Sequence, residues 1–201
     1  MTFDWARLAR VTASDPLRVL FSACLLGQPT GWEGGPYTDD LAVRLSTLPT
    51  VRPIAFCPEN ATLGTPRPLT TIHGGNGRDV LAGRARVLET TGRDVTKELV
   101  AGGEAMLAAA RRGDAELAVL LEISDSCGSH ALYLGPPEEK RYQKGTGVAA
   151  AILTNAGIPI VGQRDAATLG RILGALDPTF RPDPSAIDFV EGEWFRDYFR
   201  G

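Results

Sequence analysis

The chain has 201 residues, 43% of them hydrophobic and 22% charged, with a formal net charge of −3. This is an ordinary globular composition, long enough to bury a core without disulfide staples, and it excludes an intrinsically disordered chain. No apolar run approaches the ~18 residues of a membrane span. The first ten residues include Asp4 and lack the continuous apolar stretch of a secretory leader, so a cytoplasmic location is expected. Lysine and arginine form no stripe, which argues against a nucleic-acid partner.

In chain order, residues 18–22 form a short apolar run that predicts a buried strand. Residues 38–45 predict a helix, with Thr38 before early acids and an apolar stripe. Residues 51–56 predict a second strand, and Pro53 puts it at a strand start or a sheet edge. Residues 61–83 are rich in Gly, Pro and Thr and read as a long loop. Residues 84–89 read as a strand near the sheet edge. Asp94 opens a strong helix that runs to about Arg112 and stops at Gly113. Residues 116–121 are the clearest strand, apolar throughout and central in character. A polar loop over 136–144 leads through Gly145-Thr146-Gly147 to a helix over 148–155. A strand over 158–161 and a helix over 166–176 follow.

Strands alternating with helices predict a single Rossmann-like three-layer α/β domain with a mostly parallel sheet, residues 1–176. Residues 177–201 differ. Prolines give way to Trp194, Phe195, Tyr198 and Phe199, which predicts a C-terminal extension. Its aromatic stripe docks on the domain or on a partner subunit, so a homodimer is open and docking on its own domain is the commoner case.

Cysteine is the informative residue. There are three, Cys24, Cys57 and Cys127, an odd number that does not suit a disulfide framework. Each follows a predicted strand. In an open α/β sheet the carboxyl ends of the strands converge on the ligand crevice. Three thiolates at one site suggest a soft metal centre. A Cys3His zinc site, with His130 or His73 as fourth ligand, stays open at this point. So does a [4Fe–4S] cluster with one iron lacking a protein thiolate. A non-catalytic metal or redox sensor, and a single nucleophilic cysteine beside two structural ones, are the competing classes.

Several motifs carry a resemblance. Ser22-Ala23-Cys24-Leu25-Leu26-Gly27, Cys57-Pro58-Glu59, Gly64-Thr65-Pro66-Arg67-Pro68, Gly92-Arg93-Asp94-Val95-Thr96, Ser124-Asp125-Ser126-Cys127-Gly128 and Gly145-Thr146-Gly147-Val148 occur in this order. Together they resemble the bacterial domain of unknown function 523 family, which includes thiouracil desulfidases. The resemblance covers roughly residues 18–162. It implies a [4Fe–4S] cluster held by Cys24, Cys57 and Cys127, with the fourth iron open to a substrate sulfur. It implies a non-redox reaction in which a thiocarbonyl and water give a carbonyl and sulfide. The implied substrate is a small thiolated pyrimidine such as thiouracil. Three departures bear on the substrate. Gly31-Trp32-Glu33-Gly34 stands where the family often shows Arg-Tyr-Asp-Gly, Asp125 stands where it shows proline, and Asn60-Ala61-Thr62 follows Cys57-Pro58-Glu59 where a Gly pair is more usual.

Hydrolysis needs a base for the water proton. Glu59, two residues from Cys57, is the candidate, against a bland role as a cap or ion-pair partner. Ser124 and Ser126 are candidates to orient water or bond the substrate, or else to satisfy loop backbone. Arg67, between two prolines, would pin a substrate oxygen or, more commonly, a neighbouring carboxylate. Gly145-Thr146-Gly147 reads as close packing or as an anion site at a helix start. Trp32 would stack on a heterocycle or fill the core.

Overall fold

The computed structural model describes residues 3–200. A 3-10 turn, Trp5–Arg10, leads into β1 (Leu17–Ser22), α1 (Asp40–Ser46), β2 (Val51–Phe56) and α2 (Pro58–Leu63). Then come β3 (Thr70–His73), α3 (Gly77–Leu81), β4 (Arg86–Glu89), α4 (Thr96–Arg112) and β5 (Leu117–Leu120). The chain continues through β6 (Ala131–Tyr133), β7 (Tyr142–Lys144), α5 (Val148–Asn155), β8 (Ile160–Gly162), α6 (Ala166–Leu176) and α7 (Glu193–Tyr198). Among the described residues no helix is long and apolar enough to cross a membrane.

Four parallel strands in the order β2-β1-β5-β8 form the central sheet. Alternation along the strands gives it two apolar faces. Leu17, Val19, Phe21, Leu117 and Val119 share one core with Ala42 and Leu45 of α1 and Leu169, Ile172 and Leu173 of α6. Leu20, Ala118 and Leu120 point the other way, onto Met106 and Ala110 of α4 and Ala149, Ala150 and Leu153 of α5. The result is the expected Rossmann-like α/β sandwich. Pro53 lies in β2, an edge strand, where its missing N–H leaves no central ladder incomplete.

The opening of α4 is held by Asp94, which accepts the Thr96 N–H at 3.0 Å and the Thr96 hydroxyl at 2.6 Å. Farther along, Gly102 lets α4 touch α2. A Cβ there would sit 2.3 Å from the Pro58 carbonyl oxygen. That close approach seats α2 and, with it, Cys57 at its start.

Three stretches differ from the sequence expectation. Residues 61–83 are not one long loop, since they include the end of α2, all of β3 and α3. β4 does not join the main sheet. It pairs antiparallel with β3, over a satellite core of Ile72, Val80, Val87, Val95, Leu99, Leu132, Val148 and Ile152. Residues 136–144 are not loop alone, because β7 pairs antiparallel with β6. Each of these strands has three or four residues, too few for alternation to show above the Gly, Pro and Thr around them.

The chain after α6 docks back on its own domain. Arg44 donates to Asp177 Oδ2 at 2.9 and 2.7 Å, and Phe180 lies under the same guanidinium. Asp188 accepts the Thr168 N–H and hydroxyl. Trp194 stacks on Phe189 and Tyr198 and meets Tyr142 of β7 edge-on, while staying 40% exposed. The Tyr142 N–H donates to the Tyr198 hydroxyl oxygen at 2.9 Å.

This last bond predicts a local effect. Tyr198→Phe keeps the ring but removes the acceptor, costing about 0.5–1.5 kcal/mol. Hydrogen exchange should speed up at the Tyr142 amide and be unchanged in β1 and β5. Unchanged exchange at Tyr142 would remove the tail as a brace on this pair.

Candidate active site

The chain runs from β1 outward to β2 and later returns to β5 on the opposite side of β1. Connections therefore diverge at the carboxyl ends of β1 and β5, where an open α/β sheet forms its crevice. A pocket of about 570 Å3 opens there, and Cys24, Cys57 and Cys127 all line it.

Each cysteine is placed by its own loop. Cys24 lies in a 3-10 turn, Ala23–Leu26, directly after β1. Cys57 is the N-cap of α2, and its Sγ accepts the Asn60 N–H at 3.4 Å. Cys127 lies in the long turn after β5, where its N–H donates to Ser124 Oγ at 3.1 Å. All three thiols are free. Burial first, and then the neighbouring Cys57, pushes the Cys24 thiol up to about 12. Burial also pushes Cys127 well up, against a hydrogen bond with Ser22. A bound cation would favour the thiolate forms of these buried thiols.

Glu59 and Arg67 meet in the same pocket. Arg67, nearly buried, grips Glu59 Oε2 through Nε at 2.9 Å and Nη2 at 2.8 Å. Its Nη1 and Nη2 also reach the Gly64 and Thr30 carbonyls. Glu59 thus faces the cysteines with one oxygen held. Ser124 lines the pocket, and its Oγ accepts the N–H groups of Ser126 and Cys127. Its own hydroxyl proton is left to donate. Ser126 is buried and does not line the pocket. Trp32 and Tyr37 form part of the wall.

The histidines stand elsewhere. His73 is an exposed residue of β3 bonded to Thr71. His130 faces a separate shallow surface depression with Lys144 and Thr146. Among the described residues, no three His, Cys, Asp or Glu side chains sit close enough together to hold one metal ion. A single Cys3His zinc, whose ligand atoms must all lie about 2.0–2.3 Å from one centre, does not match this spacing.

Two residues with no assigned role emerge beside the cysteines. Asp125 is buried, with Thr70 donating to its Oδ2 at 3.4 Å. Burial, and then the Glu59 charge, pushes its carboxyl well above the usual carboxylate range. Glu122 is fully buried at the end of the β5 run. Its Oε1 accepts the N–H groups of Ser129, His130 and Ala131 at 3.1, 2.9 and 3.0 Å. Its Oε2 accepts from the Ser129 hydroxyl and pairs with His130 Nδ1 at 3.1 Å. Burial opposes its charge, but the His130 and Ser129 hydrogen bonds prevail and hold the carboxyl below its usual range.

Gly145-Thr146-Gly147 is no open anion site. The Gly147, Val148 and Ala150 N–H groups donate to the carbonyls of Gly128, Asp125 and Ser126. A Cβ on Gly147 would lie 2.5 Å from the Ser126 carbonyl carbon. The start of α5 is packed directly on the Cys127 turn.

A family model described as 2-thiouracil desulfurase matches residues 19–165, the stretch that carries all three cysteines and the sheet beneath them. The chain belongs to the 2-thiouracil desulfurase family. It is a thiouracil desulfidase-like enzyme, as the motifs implied. The protein YbbK of Bacillus subtilis (strain 168), named as uncharacterized, is 33% identical over 148 residues, 73% of this chain and 96% of YbbK. The solved structure of TudS, described as a [4Fe-4S]-dependent thiouracil desulfidase, superposes with a TM-score of 0.63 at 30% identity. The match covers 79% of this chain and 98% of TudS.

Within this desulfurase pocket, Glu122 generates a prediction. Glu122→Gln replaces a charged acceptor with a neutral one and introduces two N–H donors among N–H groups. The expected cost is about 2–4 kcal/mol of stability, with a lower midpoint in thermal or denaturant unfolding. A midpoint equal to wild type would show that the clamp is not needed to hold the Cys127 turn.

Proposed function

We propose that this chain is a [4Fe–4S]-dependent desulfidase acting on a small thiolated pyrimidine such as thiouracil. The observation that carries the reading is the meeting of Cys24, Cys57 and Cys127 in one pocket at the divergence of β1 and β5. In such a cluster each of the three thiolates would bind a different iron. When bound, the cluster supplies a Lewis-acidic iron that draws electron density from a thiocarbonyl.

The chain's own residues do the rest. Glu59 acts as the general base. Arg67 holds its Oε2, and Oε1 takes the proton of the attacking water. Ser124, whose Oγ already accepts two N–H bonds, donates its hydroxyl proton to orient that water. Trp32 and Tyr37 wall the pocket and limit bulk water. In the balanced reaction, one thiocarbonyl and one water become one carbonyl and one hydrogen sulfide, with no change of oxidation state. Residues 1–176 form the catalytic domain in this reading, and residues 177–201 an extension that braces its surface.

The ligand set predicts that Cys24→Ser, Cys57→Ser and Cys127→Ser each lose cluster iron and activity after anaerobic reconstitution. Full iron and full turnover in any one of them would remove that cysteine from the ligand set. Glu59→Gln keeps the size of the side chain and loses the base. It should keep its iron while sulfide release falls about 10²–10⁴-fold. Iron content and single-turnover sulfide release on the same sample decide the matter. Loss of iron would make Glu59 a structural residue, and normal release would end the base assignment.

A further inference from the structure

With the sulfur of a thiolated pyrimidine committed to the cluster and its carbon to water, the second exocyclic group, a ring carbonyl, still lacks a partner. One side chain of the pocket is free to supply it. Tyr37 lines the pocket with the three cysteines. Its backbone N–H donates to the Cys24 carbonyl at 3.0 Å, and its ring packs on the core that includes Cys24 and Leu25. The ring is therefore fixed to the turn that carries a cysteine.

The hydroxyl end of the ring is placed as firmly. A Cβ on Gly31 would sit 2.9 Å from Tyr37 Cε2 and 3.2 Å from Tyr37 Cζ. The family often shows arginine at this position, and here the tyrosine ring occupies the space that its Cβ would need. The Tyr37 hydroxyl has no hydrogen-bond partner among the described residues. It is not sealed off either, because the residue is half-buried and the oxygen keeps accessible surface. Burial, and then the charges of Glu33, Cys24 and Glu59, push the phenol up to about 12. Its hydroxyl thus feels both a cysteine and the candidate base across the same pocket. A phenol among anions keeps its proton and has it to donate.

We propose that Tyr37 is a specificity-determining residue, its hydroxyl donating to the ring carbonyl of the thiolated pyrimidine. This rests on the desulfidase reading and adds to it a second point at which the substrate is read. A site with a donor for a substrate oxygen disfavours an analogue without that oxygen, because the donor is then left unpaired. The contact is particular to chains in which glycine at position 31 admits the ring.

The test crosses one protein variant with two ligands. Tyr37→Phe keeps the ring against Gly31 and removes only the hydroxyl. The ligands are 2-thiouracil and pyrimidine-2-thione, which keeps the thiocarbonyl and lacks the second ring carbonyl. Calorimetric binding, KM and kcat for sulfide release, and iron content are measured on the same reconstituted holoprotein. Wild type should bind 2-thiouracil about 3–10-fold more tightly than pyrimidine-2-thione, the worth of one neutral hydrogen bond. Tyr37→Phe should weaken 2-thiouracil by a similar factor, in KM rather than kcat, and leave pyrimidine-2-thione unchanged, with iron content as in wild type. An equal loss for both ligands would overturn the proposal, as would a variant that binds 2-thiouracil like wild type. Loss of iron in Tyr37→Phe would overturn it too, making the phenol a support of the cysteine turn. Absence of sulfide release from wild type would sink the desulfidase reading alone, because the binding comparison needs no turnover.

Discussion

Glu122 accepts the N–H groups of three consecutive residues on one oxygen and the Ser129 hydroxyl on the other. A carboxylate excluded from water is tolerable only where hydrogen bonds replace its hydration, and here they replace it completely. The constraint is reciprocal. The turn between β5 and β6 has too few backbone partners of its own, and the carboxylate supplies them. Because Cys127 lies inside that turn, its position follows from Glu122 on one side and from the start of α5 on the other. Gly147 permits the second contact, since any Cβ there would collide with the Ser126 backbone. The other two cysteines are simpler cases. Cys24 follows β1 immediately, and Cys57 caps a helix seated against Gly102 of α4.

The architecture was readable because a parallel sheet covered on both faces writes its strands as continuous apolar runs. Residues 51–56, 148–155 and 166–176 have the same bounds in sequence and structure. The β3–β4 and β6–β7 pairs were not legible, being short and set among turn residues. Half of the pocket was legible too, because cysteines after strands are visible in a sequence. The ion pair of Glu59 and Arg67 spans eight residues across a proline-rich bend, and sequence could only weigh it against a substrate contact. Glu122 was missed. An acid ending an apolar strand looks like an ordinary strand exit, and its partners come seven to nine residues later.

Burial also organises the chemistry. Deeply placed thiols and a carboxyl beside Glu59 all resist negative charge. Arg67 is the fixed positive charge that faces this collection, and it is committed to Glu59. A cationic centre among the thiols would supply the remaining compensation, so ligand ionisation and centre binding are linked.

The central claim is that the three cysteines hold a cluster with one iron open to substrate. Mössbauer spectroscopy of protein reconstituted anaerobically with 57Fe and sulfide tests it most directly, with 2-thiouracil added during the measurement. The account predicts a [4Fe–4S] signal in which one iron site changes its parameters on adding the ligand, while the other three do not. A mononuclear site, or a cluster whose irons all ignore 2-thiouracil at saturating concentration, would contradict it.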